Sequence, residues 1–335
     1  MAKEKKTQPD GKKRSPSVVK RLLSFLWKVC ISIFWFVWMF LTILLVGYIL
    51  ISGLVIYSTE LKMEFIFFNR VRGPWFGNIS ACGDFGVVKC ENIFLDGPSG
   101  KLGSWFISPA SRQYITKEAY ILYLHGNMAS RAFDHRVQLY KRLSKMGYHI
   151  LAIDYRGFGD SEGWPTEQGL VEDSKVAYQF LLEKARGLPI YIWGHSLGSA
   201  VAVQLAAWLN SEHSQLNGVF LEAPFNNITD GIKYSPLAAP LRQFLPNVEQ
   251  YFDDVRNVFR STHWITKVTS PILMLHDKKD HILNINLGRK LHLAAKSVGT
   301  TNVKFIELDE DLYHNDIYRA KNLKHIVSDF VLNTS

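Results

Sequence analysis

Cysteine is scarce in this chain, with three in 335 residues, at Cys30, Cys82 and Cys90. Three thiols do not make a disulfide framework, and no cysteine or histidine stands at a metal-ligand spacing. No metal and no organic cofactor is therefore expected. There is no internal repeat and no low-complexity segment beyond a basic N-terminal tail. Charge is missing altogether from Val29 to Thr59, a run of 31 residues. The net charge of +9 is also unevenly spread: residues 1–28 hold nine basic residues against Glu4 and Asp10, so the tail is +7 and the remainder only +2. A near-neutral body behind a basic tail excludes a DNA-binding face, and no nucleic-acid partner is expected.

The uncharged run exceeds the ~18 residues that mark a membrane-spanning helix. A secretory signal peptide has an apolar core of only about 7–15 residues and a small-residue cleavage site, and this run has neither. An uncleaved anchor over residues 29–58 is the expectation. As a helix the run is roughly 46 Å long, so tilt or headgroup-level ends must absorb the excess over a ~30 Å hydrocarbon core. Nine Lys/Arg before the run, against Lys62, Arg70 and Arg72 soon after it, predict a cytosolic N-terminus and a lumenal or extracellular body. The Asn-x-Ser/Thr triplets at Asn78 and Asn227 lie on that far side as candidate glycosylation sites. A third at Asn333 sits at the chain end. Cys82 and Cys90 also face the oxidising side in this topology, where a bridge between them is one of two readings. Cys30, at the cytosolic end of the span, reads as an unmodified thiol or an acylation site.

Residues 59–84 are apolar and aromatic (Leu61, Phe65, Phe67, Phe68, then Gly73-Pro74-Trp75-Phe76-Gly77) and read as a juxtamembrane connector. Extended runs over Phe85–Leu95 and Leu102–Ile107, with turn residues between them, predict a hairpin. Beyond it, β-type runs at Tyr120–Leu124, Tyr148–Ile153, Ile190–Trp193, Gly218–Glu222, Pro271–His276 and Val303–Leu308 alternate with helical patterns near 131–146, 166–186, 197–209, 285–298 and 315–332. This alternation predicts an α/β domain with a mostly parallel, doubly wound sheet over residues 85–335. The one break is a stretch of about 50 residues between Glu222 and Pro271, too long for a structureless loop. Its apolar residues predict a helical cap at about 225–268, or else an excursion packed on the core.

The run Tyr191-Ile-Trp-Gly194-His195-Ser196-Leu197-Gly198-Ser-Ala200 carries the chemistry. A strand leads into Gly-x-Ser-x-Gly and a helix follows at once, the context of a nucleophile elbow. Ser196 is thereby the candidate nucleophile. Serine needs a base to take its proton, and the base needs an acid to orient it. After such an elbow the order is acid, then histidine. Asp280, past the end of Pro271–His276, is favoured as the acid, with Asp277 as the alternative. His314 follows the last strand and is the candidate base. His281 is adjacent to the acid, His292 sits within a helix, and His325 lies deep in the terminal helix. Oxyanion donors are expected from the backbone N–H groups of Leu197 and Asn127, the latter in the loop after Tyr120–Leu124. His125 reads as a structural residue of that loop.

These residues resemble a known family. His125-Gly-Asn127, Asp154-Tyr-Arg-Gly-Phe-Gly-Asp-Ser161, Trp193-Gly-His-Ser-Leu-Gly198, Glu222-Ala-Pro-Phe-Asn-Asn-Ile228 and Leu287-Gly-Arg-Lys-Leu291 are similar to the α/β-hydrolase lipases, in particular the membrane-anchored lysophosphatidylserine and monoacylglycerol lipases of the α/β-hydrolase domain-containing protein twelve family. The likeness covers about 85–335. It implies an α/β-hydrolase fold, a triad of Ser196, Asp280 and His314, and an integral membrane protein that takes a lipid substrate from the bilayer. It also implies residence in the endoplasmic reticulum membrane, with the plasma membrane as second choice. Two departures stand out. The acid loop reads Asp277-Lys-Lys-Asp280, without the acidic pair and proline common in such loops, and no glycine precedes His314. Asp154, Arg156 and Asp160 match the family and read as loop-shaping. A protein depalmitoylase or general carboxylesterase is the alternative function, and a non-catalytic scaffold of this fold is the remaining one.

Overall fold

The structure is a computed structural model that describes residues 18–74, 77–110, 117–235, 238–245, 247–298 and 302–334. Most of the basic tail, Trp75 and Phe76 of the connector, and Pro236, Leu237 and Pro246 of the cap lie outside the described residues. The chain divides into two units, Met1–Tyr57 and Ser58–Ser335.

The described part of the first unit is a single helix, α1 (Val18–Tyr57), 40 residues long. It begins well before the uncharged run, because Val18–Lys28 contains neither glycine nor proline and lies just after Pro16. By length and composition it is able to cross a membrane.

The second unit opens with α2 (Thr59–Phe67), capped by the Ser58 hydroxyl, which accepts from Leu61 N–H at 3.2 Å. This segment belongs to the folded body: Ile66 and Phe67 are buried in its core, and Asn69 Nδ2 donates to the Gly157 carbonyl at 3.2 Å. The eight-stranded sheet has the order β1-β2-β4-β3-β5-β6-β7-β8. Its strands are β1 (Cys90–Gly97), β2 (Gly100–Ile107), β3 (Ala119–Leu124), β4 (Tyr148–Ile153), β5 (Ile190–His195), β6 (Gly218–Glu222), β7 (Ile272–Asp277) and β8 (Val303–Leu308). The β1–β2 hairpin and the β2–β4 pair are antiparallel, and every other pair is parallel. This is the α/β-hydrolase fold.

Successive side chains of a strand point to opposite faces, and the core divides accordingly. Leu122, Leu124, Ile192, Leu221 and Met274 pack with α4 (Glu167–Ala185), α5 (Leu197–Ser211) and α9 (Ile285–Ser297). Tyr123, Tyr191, Trp193, Phe220 and Leu275 pack with α3 (Asp134–Lys145) and α10 (Leu323–Thr334). Both faces of the central strands are covered, which is why their sequences are continuously apolar.

Two expected elements differ. The strand expected from Phe85 starts only at Cys90, because Cys82–Phe85 forms a 3-10 helix and Gly86 and Lys89 both take positive φ. A disulfide joins Cys82 to Cys90, with their Cα atoms 6.1 Å apart. The helix expected over 315–332 is two pieces, a 3-10 turn (Ile317–Arg319) and α10. Ala320 between them is extended, at ψ 132°, and its carbonyl accepts from Arg142 Nη1 at 3.2 Å.

The insertion between β6 and β7 is helical: α6 (Ile228–Tyr234), α7 (Ala239–Phe244), a 3-10 helix (Val248–Val255) and α8 (Ser261–Ile265). Phe252, Val255 and Phe259 are buried in the main core, while Ile228 and Ile232 line a cavity beside Ser196. The insertion is thus a cap at its start and a core-packed excursion toward its end.

Candidate active site

Strand β5 ends at His195, and α5 begins two residues later at Leu197. Ser196 between them is held at φ 54°, ψ −119°, a conformation costly for a side-chain-bearing residue. Its N–H donates to the Glu222 carbonyl at 2.9 Å, which ties the turn to the end of β6. The flanking glycines let three backbones meet. A Cβ at Gly194 would lie 2.3 Å from the Gly198 carbonyl oxygen, and one at Gly198 would lie 2.0 Å from the Leu124 oxygen. Neither neighbour is a side chain able to move aside.

His314 stands on the loop after β8, with its Nε2 3.0 Å from Ser196 Oγ and its Nδ1 2.7 Å from Asp280 Oδ2. Tyr313 takes φ 54° and Asp311 φ 57°, so the loop makes its left-handed turn without glycine. The His314 carbonyl accepts from His195 Nε2 at 3.1 Å, which fixes the loop to the elbow itself. Asp280 lies past the end of β7. Its Oδ1 accepts from the N–H groups of Ile282 and Leu283 at 2.9 and 2.8 Å, leaving Oδ2 for His314. Asp277, the alternative acid, is turned away: its Oδ1 accepts from Lys279 N–H at 2.9 Å and organises the same loop.

His276 escaped the sequence reading. Its Nε2 lies 2.8 Å from the Leu283 carbonyl and 3.2 Å from Asp280 Oδ2. Both partners are acceptors, so Nε2 carries the proton. Burial raises the Asp280 pKa, but the His314 interaction and the hydrogen bonds from His276 and His314 more than reverse it and hold the carboxyl well below the usual carboxylate range. Asp280 therefore stays an anion facing the imidazole. Its signal in the sequence was only position, a histidine at the carboxyl end of a parallel strand beside the acid loop.

Asn127 lies in the loop after β3, anchored by Nδ2 donating to the Ile66 carbonyl of α2 at 2.9 Å. Asn127, Leu197, Ser196 and His314 line one cavity of about 360 Å³. Its walls are mostly apolar, with Phe65, Ile66 and Phe68 at the end of α2, Ile228 and Ile232 of α6, and Ile282 and Leu283 of the acid loop, and with His135 and Arg136 of α3 on another side. The contribution of α2 could not be read from composition, because an apolar stretch after a span has no periodic signature of what it will cover.

Around this loop lie buried charges. Arg131 Nη1 sits 2.5 Å from Asp154 Oδ2 and 2.6 Å from Asp160 Oδ1, and Arg156 Nη2 sits 2.7 Å from Asp173 Oδ1. Asp154, Asp160 and Arg156 thus shape loops. Arg131 was missed, although it supplies the cation for two of them. His125 is fully buried with Nδ1 2.6 Å from the Gly126 carbonyl, and burial, then the Arg136 charge, push its pKa well down. Burial pushes the Glu222 carboxyl up to about 7; it accepts from Trp193 Nε1 at 2.7 Å.

A serine oxygen within reach of an imidazole that is itself aligned by a buried carboxylate is an arrangement suited to acyl transfer. Asn78 and Asn227, the glycosylation candidates, differ in setting. Asn78 is exposed. Asn227 is half-buried and caps α6, its Oδ1 accepting from Asp230 N–H at 2.8 Å.

The model of the Hydrolase_4 family, described as serine aminopeptidase S33, matches residues 116–256, a range that includes Ser196. The chain is 36% identical to the lysophosphatidylserine lipase ABHD12 of Danio rerio over 310 residues, covering 85% of this chain and 80% of that protein. It is 35% identical to the protein of the same name from Xenopus tropicalis, covering 88% and 83%. Among solved structures, the Pyrococcus furiosus esterase Pf2001 superposes with a TM-score of 0.60 at 18% identity, over 78% of this chain and 96% of that one.

Proposed function

The chain belongs to the ABHD12 family of α/β-hydrolases and is an enzyme of the esterase and lipase class, and from that premise we propose that it cleaves the acyl ester of single-chain lipids through an acyl-enzyme on Ser196. The observation that carries this reading is the line Ser196–His314–Asp280, with contacts of 3.0 and 2.7 Å, opening into a cavity walled mostly by apolar side chains. The substrates are lysophosphatidylserine, monoacylglycerol or both. His314 Nε2 takes the Ser196 proton as Oγ attacks the ester carbonyl. The oxyanion that forms accepts from the N–H groups of Leu197 and Asn127, each such donor contributing roughly 3–4 kcal/mol in the transition state. On collapse, His314 returns the proton to the departing glycerol oxygen. Water then enters and loses a proton to the same nitrogen as it attacks the acyl carbon; on collapse the fatty acid leaves and His314 returns the proton to Ser196 Oγ.

The helix α1 anchors the enzyme, with the basic tail cytosolic and the hydrolase body in the lumen of the endoplasmic reticulum. The Cys82–Cys90 disulfide supports that side, since such bonds persist in oxidising compartments. The test is to assay wild type and Ser196→Ala, solubilised in detergent, on lysophosphatidylserine, monoacylglycerol and an acyl-thioester peptide. Cleavage of a lysolipid or monoacylglycerol that the variant loses supports the proposal. Cleavage of the thioester alone moves the protein to the depalmitoylase reading, and unchanged activity in Ser196→Ala overturns the mechanism.

A further inference from the structure

Arg136 stands in the first turn of α3 and is 2% exposed. Arg131 and Arg156 nearby each face carboxylates. Among the described residues Arg136 has no ion-pair partner: Nη1 and Nη2 donate to the carbonyls of Ser130 and Met128, at 2.7 and 2.6 Å, and its buried Nε–H has no acceptor. Besides those carbonyls it has the Phe133 ring, its centroid 5.6 Å from the guanidinium carbon, and a longer-range attraction to the buried Glu222 carboxyl. With no carboxylate at ion-pair distance among the described residues, a cation so withdrawn from water is costly. The cost makes sense if an anion arrives with the ligand.

The geometry gives that anion a place. Arg136 and its neighbour His135 line the same cavity as Ser196 and His314. The His135 ring lies 5.2 Å from the His195 ring, one residue from the nucleophile, and its Nε2 is buried without a partner. Burial and the Arg136 charge hold His135 neutral. The N-cap residue of α3, Phe133, offers no side-chain acceptor, so the helix also presents its positive end here. Two positive features, the Arg136 guanidinium and the α3 N-terminus, therefore converge beside the elbow, with the neutral His135 ring next to His195, while the wall near α2 is mostly apolar.

We propose that Arg136, with His135 beside it, is the subsite for the phosphodiester of a lysophospholipid, and that it makes the enzyme prefer an anionic lysolipid over a neutral monoacylglycerol. The proposal rests on the lipid-esterase reading above and names the substrate class within it. Only the glycerol backbone separates the phosphorus of a lysophospholipid from its scissile ester. Its charge therefore falls within the cavity that Ser196 and Arg136 both line. Monoacylglycerol would leave the cation unpaired. Arg136 also pins two carbonyls of the loop that bears Asn127, so a structural role is the rival explanation.

The test compares wild type, Arg136→Met and Arg136→Lys, full-length in mixed micelles, on lysophosphatidylserine and monoacylglycerol carrying the same acyl chain. Fluorophosphonate labelling of Ser196 reports whether each variant is folded. A charge-assisted hydrogen bond lost to an anionic group predicts a fall of about 10- to 100-fold in kcat/KM on lysophosphatidylserine. Monoacylglycerol hydrolysis should fall by a clearly smaller factor, the share due to loop support, and Arg136→Lys should fall between. Equal losses on both lipids would assign Arg136 to loop support and overturn the proposal. If Arg136→Met does not label, non-hydrolysable ether analogues of the two lipids are competed on wild type. The anionic analogue is expected to bind at least about tenfold tighter, and equal binding overturns the subsite. Wild type that cleaves neither lipid would instead sink the lipid-esterase reading.

Discussion

At Asp280, one carboxylate oxygen is fixed by two backbone N–H groups and the other by two imidazoles, His314 and His276. The His276 hydrogen bond orients the acid and does not touch substrate. His276→Phe is expected to lower kcat roughly tenfold with KM little changed, since one buried hydrogen bond is lost behind the reacting groups. Steady-state kinetics separate this from a defect of binding, which would raise KM. Glu222 carries a different consequence. Its pKa is raised from 4.5 to about 7 by burial, so between those values the folded protein holds a proton that the unfolded chain has released. Its contribution to stability is full below pH 4.5 and is lost as pH rises through about 7. At pH 8 the ionised form is worth up to about 3 kcal/mol of destabilisation. Glu222→Gln, which keeps an acceptor for Trp193, is expected to raise the melting temperature at pH 8 and leave it nearly unchanged at pH 5. An equal effect at both pH values would contradict this account.

Among elements, α2 and the 3-10 helix Val248–Val255 of the insertion hold each other. Lys62 of α2 is 4% exposed, with Nζ 2.7 Å from Asp254 Oδ1, and Thr59 donates to the other oxygen of the same carboxylate. Asp254→Ala leaves that ammonium buried and unpaired. It should cost about 1–3 kcal/mol, less than a fully buried pair because Asp254 itself is partly exposed. Lys62→Met in that background should recover much of the loss, as read by thermal unfolding. The cavity wall explains what was legible from the sequence and what was not. Strands such as Tyr120–Leu124 and Gly218–Glu222 announce themselves because both faces are covered. Ser196 is legible from its strand–Gly-x-Ser-x-Gly–helix context and Asp280 and His314 from chain order and their places after the late strands, and the fold sets Ser196 and Asp280 each within hydrogen-bond distance of His314. Arg131 was missed because its partners Asp154 and Asp160 lie 23 and 29 residues away, and His276 and Arg136 because their contacts with nearby loop carbonyls and Asp280 are set by loop geometry and leave no periodic pattern. His276 left its position at a strand end as a trace, and Arg136 a charge on the buried stripe it shares with Tyr140 and Leu143 of α3. The split of the 315–332 segment was invisible because one of the two hydrogen bonds to the Ala320 carbonyl at its break comes from Arg142, far away in the chain.

For the whole molecule, the proposed topology and the thiols are linked. The disulfide Cys82–Cys90 closes a short loop and should contribute about 2–3 kcal/mol, whereas Cys30 is free and exposed in α1. Denatured, unreduced protein purified from its membrane should take one maleimide, and reduced protein three; three before reduction would place the body in a reducing compartment. The same preparation, treated with a glycosidase, is expected to shift through Asn78, the exposed triplet, and Asn78→Gln should abolish the shift. The central claim is that one serine performs the reaction, and modification of that serine tests it most directly. Wild type is titrated with a fluorophosphonate, residual lysophosphatidylserine hydrolysis is followed, and the labelled peptide is mapped by mass spectrometry. The account predicts a single adduct on Ser196, loss of activity in proportion to labelling, and protection by lysolipid. Hydrolysis that persists once Ser196 is fully modified would contradict it.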